Sequence, residues 1–329
     1  MAMALVPALA LVAAAGIVLR PATPADATSV EEVIAELEVE ASPVAAPDDD
    51  RAGAGATSGS SDQMAVSAAP DAVAGSTSAA RSALVDDPGP PVDPAPLLVA
   101  FVGDSSAWTL GGGPIGFTLE HGPYESPFDD TRIRLLNLGR KGWSLTPGDL
   151  LLPGGPRPRA PEASAYEQEW IDTIARTRPD VVVLLVGWPE IFDHRVDTTT
   201  IEVGSPAHHQ AVLDAGGRLL DALAEASPTS RLVVATTPGF PAERRRDEMA
   251  DFLAGAGPRV DAFDAALRDL AIGRERVEVL EFGAWLCPDT CRRTPDGEPV
   301  RPDGVHFSPG GARFVAEWLT PRLEELAGR

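Results

Sequence analysis

The sequence predicts an α/β protein, a three-layer α/β/α sandwich in which helices cover both faces of a parallel five-stranded sheet. Five short apolar runs are continuous rather than alternating, which is typical of strands buried on both faces. They are Leu97–Val102, Ile133–Leu138, Val181–Val186, Leu232–Thr236 and Val277–Glu281. Helical patterns lie between or after these runs, for example Glu167–Thr177, His208–Ala226, Val260–Ala271 and Gly310–Leu326. This alternation, with right-handed crossovers, favours the strand order 2-1-3-4-5.

The first strand leads into Gly103-Asp104-Ser105, which places a serine just past the carboxyl end of the strand. In a flavodoxin-like sheet of the predicted order, ligands bind at that edge. The segment from Ser106 to Glu120 is expected to begin a helix, whose free N–H groups favour a developing negative charge. Ser105 is therefore a candidate nucleophile. The alternative is that Gly-Asp-Ser forms an ordinary turn.

The 329 residues divide into three regions of different composition. Residues 1–20 are apolar up to Arg20 and have the length of a membrane anchor or signal peptide, although no basic residue precedes them. Residues 21–96 are rich in Ala, Pro, Ser, Gly and Asp, which predicts a disordered tether. Residues 97–329 form the folded domain. We therefore expect an extracytoplasmic protein, either membrane-anchored through its N-terminal segment or secreted.

The charge balance excludes one class of partner. The formal net charge is −22 and the isoelectric point is near 4.5. Nucleic acid is not an expected partner, because phosphate binding requires clustered Lys and Arg. The one basic cluster, Arg244-Arg245-Arg246, is interpreted as a solvated face.

A second informative stretch, Arg301–Gly311, precedes the last predicted helix and contains Asp303 and His306. A serine nucleophile needs a base, and the base needs an acceptor that fixes its tautomer. Asp303 and His306 are candidates for that acceptor and base, because the last helix begins at the edge where parallel strands end. For a lone histidine, a surface or capping role is the alternative.

A third stretch, Asn137-Leu138-Gly139-Arg140-Lys141-Gly142-Trp143-Ser144, follows the second strand. A glycine there lets the backbone approach a substrate, and its N–H can donate to an oxyanion. The alternative is a plain turn from a strand to a helix.

With these three stretches, residues 97–328 resemble the SGNH (GDSL-type) hydrolase superfamily, in the order of that family's sequence blocks. Gly103-Asp104-Ser105 is similar to the first block, Asn137-x-Gly139-x-x-Gly142 to the second, and Pro302-Asp303-Gly304-Val305-His306 to the last. The resemblance implies that Ser105 is the nucleophile, His306 its base and Asp303 the partner of that base. It also implies oxyanion donors at the N–H groups of Ser105 and Gly142, a three-layer fold, and no metal or organic cofactor.

One block departs from the family pattern. After the third strand the family has Gly-x-Asn-Asp, whose asparagine donates to the oxyanion, whereas this chain has Gly187-Trp188-Pro189-Glu190. Proline offers neither a side-chain donor nor an N–H. Trp188 and Glu190 are similar to the version found in extracytoplasmic SGNH domains that follow membrane acyltransferase domains in actinobacteria. Trp188 is a candidate wall of the substrate site, with packing on the sheet edge as the alternative.

The two cysteines, Cys287 and Cys291, lie between the fifth strand and the last block. In a chain with an export-like start they predict one small disulfide loop, which supports the extracytoplasmic subgroup. The alternative is a zinc site completed by His306 or by the pair His208–His209, although a structural zinc site needs four ligands.

Three further signals are interpreted as structural. Gly111–Gly116 fits G-x-G-x-x-G but follows no strand directly, so no dinucleotide site is expected. Carboxylates near a helix start are more often caps than metal ligands, and this applies to Glu190, Asp193 and Asp197. The remaining histidines are predicted to be surface residues: His121, His194, His208 and His209.

The sequence thus predicts a serine-dependent esterase or O-acyltransferase that acts on acyl esters, acetyl above all, of cell-envelope glycans. Ser105 would attack the ester carbonyl, and water or a sugar hydroxyl would resolve the acyl-enzyme. The alternative is a catalytically weak or inactive glycan-binding module of the same fold, which Pro189 favours.

Overall fold

A computed structural model describes residues 95–114, 126–241 and 248–329. Its main sheet has five parallel strands, β1 (Leu97–Gly103), β2 (Ile133–Asn137), β5 (Val181–Leu185), β8 (Arg231–Ala235) and β9 (Val277–Leu280). They lie side by side as β2-β1-β5-β8-β9. The predicted fold class and the order 2-1-3-4-5 are therefore confirmed. The predicted N-terminal anchor and tether lie outside the described residues, apart from Ala95 and Pro96.

Helices cover both faces of this sheet. Side chains of β1 alternate between two hydrophobic clusters, because successive residues of a strand point to opposite faces. Ala100 and Val102 pack with α2 (Ala163–Thr177), α3 (Pro206–Ala226) and α5 (Gly257–Ala271). Val99 and Phe101 pack with α1 (Ser105–Leu110), α6 (Phe282–Leu286) and α7 (Pro309–Leu326). The remaining helices are α4 (Glu248–Ala254) and a 3-10 turn at Trp188–Ile191.

Helix starts differ from the predicted ones by a few residues because side chains and prolines set them. Ser205 caps α3 by accepting from the N–H of His208 (3.1 Å), and Pro206 takes the first helical position. Ser308 caps α7 by accepting from the N–H of Gly311 (3.0 Å), again with a proline in the first turn. Apolar spacing reports only the buried face of a helix, so it misses such capped first turns.

A second, antiparallel sheet was not predicted. Its strands are β3 (Asp149–Leu152), β4 (Gly155–Arg157), β6 (Asp193–Val196) and β7 (Thr199–Ile201), in the order β4-β3-β6-β7. The pairing of β3 with β6 joins the segment that follows β2 to the segment that follows β5. Both segments leave the carboxyl edge of the main sheet, so this small sheet fixes two loops beside Ser105.

Among the described residues, no helix combines the length and the apolar character needed to cross a membrane.

Candidate active site

Ser105 is the first residue of α1, directly after β1. Gly103, the last residue of β1, lies against the end of β5. A Cβ at this position would lie 1.8 Å from the backbone oxygen of Leu185, so only glycine fits here. Asp104 is fully buried and accepts hydrogen bonds from the N–H groups of Ser106 (2.7 Å) and Gly187 (3.1 Å). Burial raises the pKa of Asp104, against these hydrogen bonds, which lower it. Asp104 thus caps the helix that carries Ser105 and ties it to the end of β5.

Asp303 and His306 lie in a tight turn before α7. One carboxylate oxygen of Asp303 accepts from the N–H groups of Val305 (2.8 Å) and His306 (2.7 Å). The other oxygen lies 2.6 Å from Nδ1 of His306. Burial raises the pKa of Asp303, but the hydrogen bonds and charge of His306 outweigh it and bring the pKa to about 2. Asp303 therefore stays ionised next to the imidazole at every pH near neutrality.

The structure brings Ser105, Asp303 and His306 together. Oγ of Ser105 lies 2.9 Å from Nε2 of His306, across 201 residues of sequence. A carboxylate at Nδ1 holds the imidazole proton there, which leaves Nε2 able to accept the proton of the serine hydroxyl. Thr109 supports this geometry, because its hydroxyl oxygen accepts from the N–H of Phe307 (3.1 Å) and so links α1 to the histidine turn. The arrangement is chemically competent for proton transfer from serine to histidine.

The loop after β2 lies against the first turn of α1. Asn137 donates from its side chain to the backbone oxygen of Trp108 (2.9 Å), and the N–H of Arg140 donates to the oxygen of Gly103 (2.8 Å). A Cβ on Gly139 would lie 2.3 Å from the backbone nitrogen of Trp108, which requires glycine at this close approach. Gly142 follows with a φ of +79°. Neither its N–H nor that of Ser105 donates to any residue within the described ranges.

The segment after β5 forms the 3-10 turn that contains the Trp188-Pro189-Glu190 sequence. Pro189 is buried and supplies no donor. Trp188 is half-buried and packs edge-to-face on Phe192 and Phe240, at centroid distances of 5.0 and 5.5 Å. Trp188 thus takes part in a packed aromatic cluster, and its role as a substrate wall stays a prediction.

Cys287 and Cys291 form a disulfide, with their Cα atoms 3.9 Å apart. Two bridged sulfurs are not the thiolates that zinc would need. The buried guanidinium of Arg301 lies 3.2 Å from Sγ of Cys287 and donates to the backbone oxygen of Gly239. Burial lowers the pKa of Arg301 to about 10, although the charge of Asp303 opposes this. The disulfide loop therefore packs on the segment that leads to Asp303.

Two predicted surface histidines are buried instead. His194 faces inward from β6, and His208 lies on the inner face of α3 against Phe263. Burial lowers the pKa of each to about 4, so both are neutral near pH 7. The apolar helical spacing of His208 with Val212 and Leu219 was a signal of this burial.

Asp193 and Asp197, two of the carboxylates weighed as metal ligands, occupy different settings in the structure. Asp193 forms an ion pair with Arg259 (2.7 Å), and Asp197 lies in a turn with a φ of +54°. In the described ranges, no group of three or more His, Cys, Asp or Glu side chains is arranged to hold a metal ion.

No family model and no curated protein matches this chain. Among solved structures, it is similar to the lipase/acylhydrolase from Enterococcus faecalis, at 14% identity over 71% of this chain and 96% of that chain, with a TM-score of 0.41. A carbohydrate acetylesterase from Sinorhizobium meliloti shares 17% identity over 70% and 99% of the two chains, with a TM-score of 0.43. A GDSL-like lipase from Bacteroides thetaiotaomicron shares 11% identity over 69% and 88%, with a TM-score of 0.41.

Proposed function

We propose that the protein is a serine-dependent esterase or O-acyltransferase of the SGNH type, acting on acetyl or similar acyl esters of cell-envelope glycans. The observation that carries this proposal is the hydrogen-bonded chain from Asp303 through His306 to Ser105, with distances of 2.6 and 2.9 Å. A half-buried Asp–His–Ser chain at the carboxyl edge of a parallel sheet is suited to nucleophilic acyl transfer.

In this mechanism Ser105 attacks the ester carbonyl while His306 accepts the hydroxyl proton and Asp303 stabilises the imidazolium. The N–H groups of Ser105 and Gly142 donate to the oxyanion of the tetrahedral intermediate. His306 then returns the proton to the departing alcohol, which leaves an acyl-enzyme on Ser105. Water or a sugar hydroxyl attacks that ester, with His306 again as base, and regenerates the serine. No step requires a metal or an organic cofactor.

The proposed location is extracytoplasmic, with residues 1–20 as a membrane anchor or signal peptide. Two features support it: the apolar N-terminal segment and the Cys287–Cys291 disulfide. Disulfides persist in oxidising compartments and are rare in the cytosol. The proposed partners are accordingly an acylated glycan and, through the N-terminal segment, the membrane.

A glycan-binding module of weak or no activity is the second candidate, and Pro189 favours it. Loss of one oxyanion donor typically lowers the rate by about 10² to 10³. If the protein is an enzyme whose oxyanion is supported mainly by the two backbone donors, we therefore expect its turnover to be detectable but slow.

The test measures hydrolysis of 4-nitrophenyl acetate by wild type, Ser105→Ala and Ser164→Ala. An activated leaving group reports mainly on the nucleophile and the oxyanion donors. Ser105→Ala should reduce the rate to background. Ser164 is exposed on α2, so Ser164→Ala should leave it unchanged.

Equal background rates in wild type and Ser105→Ala, across several acyl esters and with glycan acceptors present, would contradict the enzyme and favour the binding module. If turnover depends on Ser105, product analysis with an acetylated glycan, with and without an acceptor sugar, separates hydrolysis from transfer.

A further inference from the structure

Glu190 is a fully buried carboxylate one residue after the proline that lacks a donor. Its two oxygens accept hydrogen bonds from consecutive backbone N–H groups, that of Leu145 at 2.7 Å and that of Thr146 at 3.1 Å. Within the described part of the chain, no arginine or lysine forms an ion pair with it. Nε2 of His194 lies 4.0 Å away, but its ring is neutral near pH 7. The charge of Arg159 acts on Glu190 without forming an ion pair with it.

A carboxylate in this position is costly for folding alone. Transfer of an ionised group out of water without a paired charge carries a large free-energy penalty. Burial accordingly raises the pKa of Glu190 to about 7, against the hydrogen bonds and the charge of Arg159, which lower it. The residue therefore needs an explanation beyond packing.

The backbone N–H groups that Glu190 binds suggest such an explanation. Leu145 lies three residues after Gly142, and the N–H of Arg140, two residues before Gly142, is fixed to the oxygen of Gly103. Gly142 is thus held between two anchors, one on the strand that carries Ser105 and one on Glu190. Gly142 has a φ of +79° and lies in a turn closed by the hydrogen bond from the N–H of Trp143 to the oxygen of Arg140 (3.2 Å). The two anchors therefore set where this turn, and with it the N–H of Gly142, lies relative to Ser105.

We propose that Glu190 is a positioning residue for acyl transfer: its carboxylate fixes the Leu145–Thr146 backbone so that the N–H of Gly142 faces the oxyanion. This inference rests on the proposed function, in which Gly142 is an oxyanion donor. Glu190 thereby supports the backbone donors in a site where Pro189 leaves the side-chain donor missing.

The test compares wild type with Glu190→Gln. Glutamine keeps the shape of the side chain and one acceptor oxygen. Its NH2 group, however, replaces the second oxygen and cannot accept a hydrogen bond from the second of the two backbone N–H groups. We expect kcat for 4-nitrophenyl acetate to fall by about 10- to 100-fold with KM nearly unchanged, because a misplaced donor weakens only the transition state. Inhibition by methaneboronic acid, which forms a tetrahedral adduct on serine, should weaken by a similar factor.

Asp264→Asn is the matched control. Asp264 is also a buried carboxylate that accepts a backbone N–H, that of Thr237 at 2.7 Å, but this partner belongs to the segment after β8 and not to the Gly142 loop. Asp264→Asn should leave both kcat and boronate inhibition unchanged. A merely structural role of Glu190 would lower the thermal midpoint without a selective effect on kcat and boronate binding.

The outcomes separate the two proposals. Wild-type kcat and boronate inhibition in Glu190→Gln, alongside an inactive Ser105→Ala, would overturn the inference and leave the proposed function intact. Absence of any Ser105-dependent turnover in wild type would overturn both. If Glu190→Gln does not fold, Glu190→Asp carries the test, since it keeps the charge but shortens the side chain. A lower kcat with unchanged KM then supports the inference, and a wild-type kcat overturns it.

Discussion

Asp303 uses its two carboxylate oxygens for two different purposes. One oxygen holds the backbone of the turn through Val305 and His306, and the other contacts Nδ1 of the imidazole. In Asp303→Asn, the side-chain oxygen can still hold the turn, but the amide NH2 group faces Nδ1 of His306. Because this group donates a hydrogen bond to Nδ1, it favours the tautomer that carries its proton on Nε2, which cannot accept the serine proton. We therefore expect Asp303→Asn to fold and to lose about 10³-fold or more in kcat.

Steady-state kinetics with 4-nitrophenyl acetate measure this loss, with circular dichroism to confirm the fold. An Asp303→Asn variant with kcat close to wild type would show that Asp303 does not set the tautomer of His306.

The sequence predicts these site residues for a physical reason. Acyl transfer requires a serine, a base and an acid of fixed type, and the tight turns that hold them require glycine at Gly103 and Gly304, the latter with a φ of +82°. Each of the three stretches alone also fits an ordinary turn or a surface role, so the prediction depended on their combination and on the family resemblance. The support of Gly142 by Glu190 was not predicted, because its contact spans 45 residues and ends on backbone atoms.

At the scale of elements, Thr109 joins α1 to the turn that carries His306. Its hydroxyl donates to the backbone oxygen of Ser105 (2.9 Å) and accepts from the N–H of Phe307 (3.1 Å). Thr109→Val keeps the shape but leaves a buried N–H unpaired, which costs about 1 to 3 kcal/mol. We expect kcat to fall by about 10-fold as the alignment of serine and histidine loosens.

Thr177→Val is the matched control, because the hydroxyl of Thr177 donates to the oxygen of Thr173 (2.8 Å) within α2. Chemical denaturation should show a loss of stability in Thr109→Val. Esterase kinetics should show a loss of kcat in Thr109→Val and an unchanged kcat in Thr177→Val. Equal kcat in the two variants would assign Thr109 a purely structural role.

The main strands were predictable and the second sheet was not. A central strand such as β5 is entirely apolar because both of its faces are covered. Strands β4 and β7 have three residues each, are mostly exposed, and contain glycine, proline and threonine. Such short pairs depend on tertiary contacts more than on local pattern. The inward position of His194 was missed for the same reason.

At the scale of the whole molecule, buried carboxylates make stability depend on pH. Burial raises the pKa of Asp264 from 3.8 to about 7. Between these values the folded chain retains a proton that the unfolded chain releases, so this group lowers the free energy of unfolding as pH rises through the window. Asparagine keeps the acceptor for the Thr237 N–H and does not titrate.

The free energy of unfolding of Asp264→Asn relative to wild type should therefore increase from pH 4 to pH 8 by about 2 to 4 kcal/mol. Urea denaturation of both proteins across this range measures the difference, in which contributions common to both cancel. A difference that is independent of pH would show that Asp264 titrates normally.

The distance of Ser105 from His306 along the chain has a consequence for biosynthesis. The nucleophile belongs to the first strand of the sheet and its base to the turn before the last helix, 201 residues later. At about 5 to 20 residues per second, a ribosome needs roughly 10 to 40 s to synthesise that interval. Throughout this time the nascent chain contains Ser105 but not yet His306. Activity should therefore appear only when the turn that carries His306 and the helix that follows it, α7, dock beside Ser105.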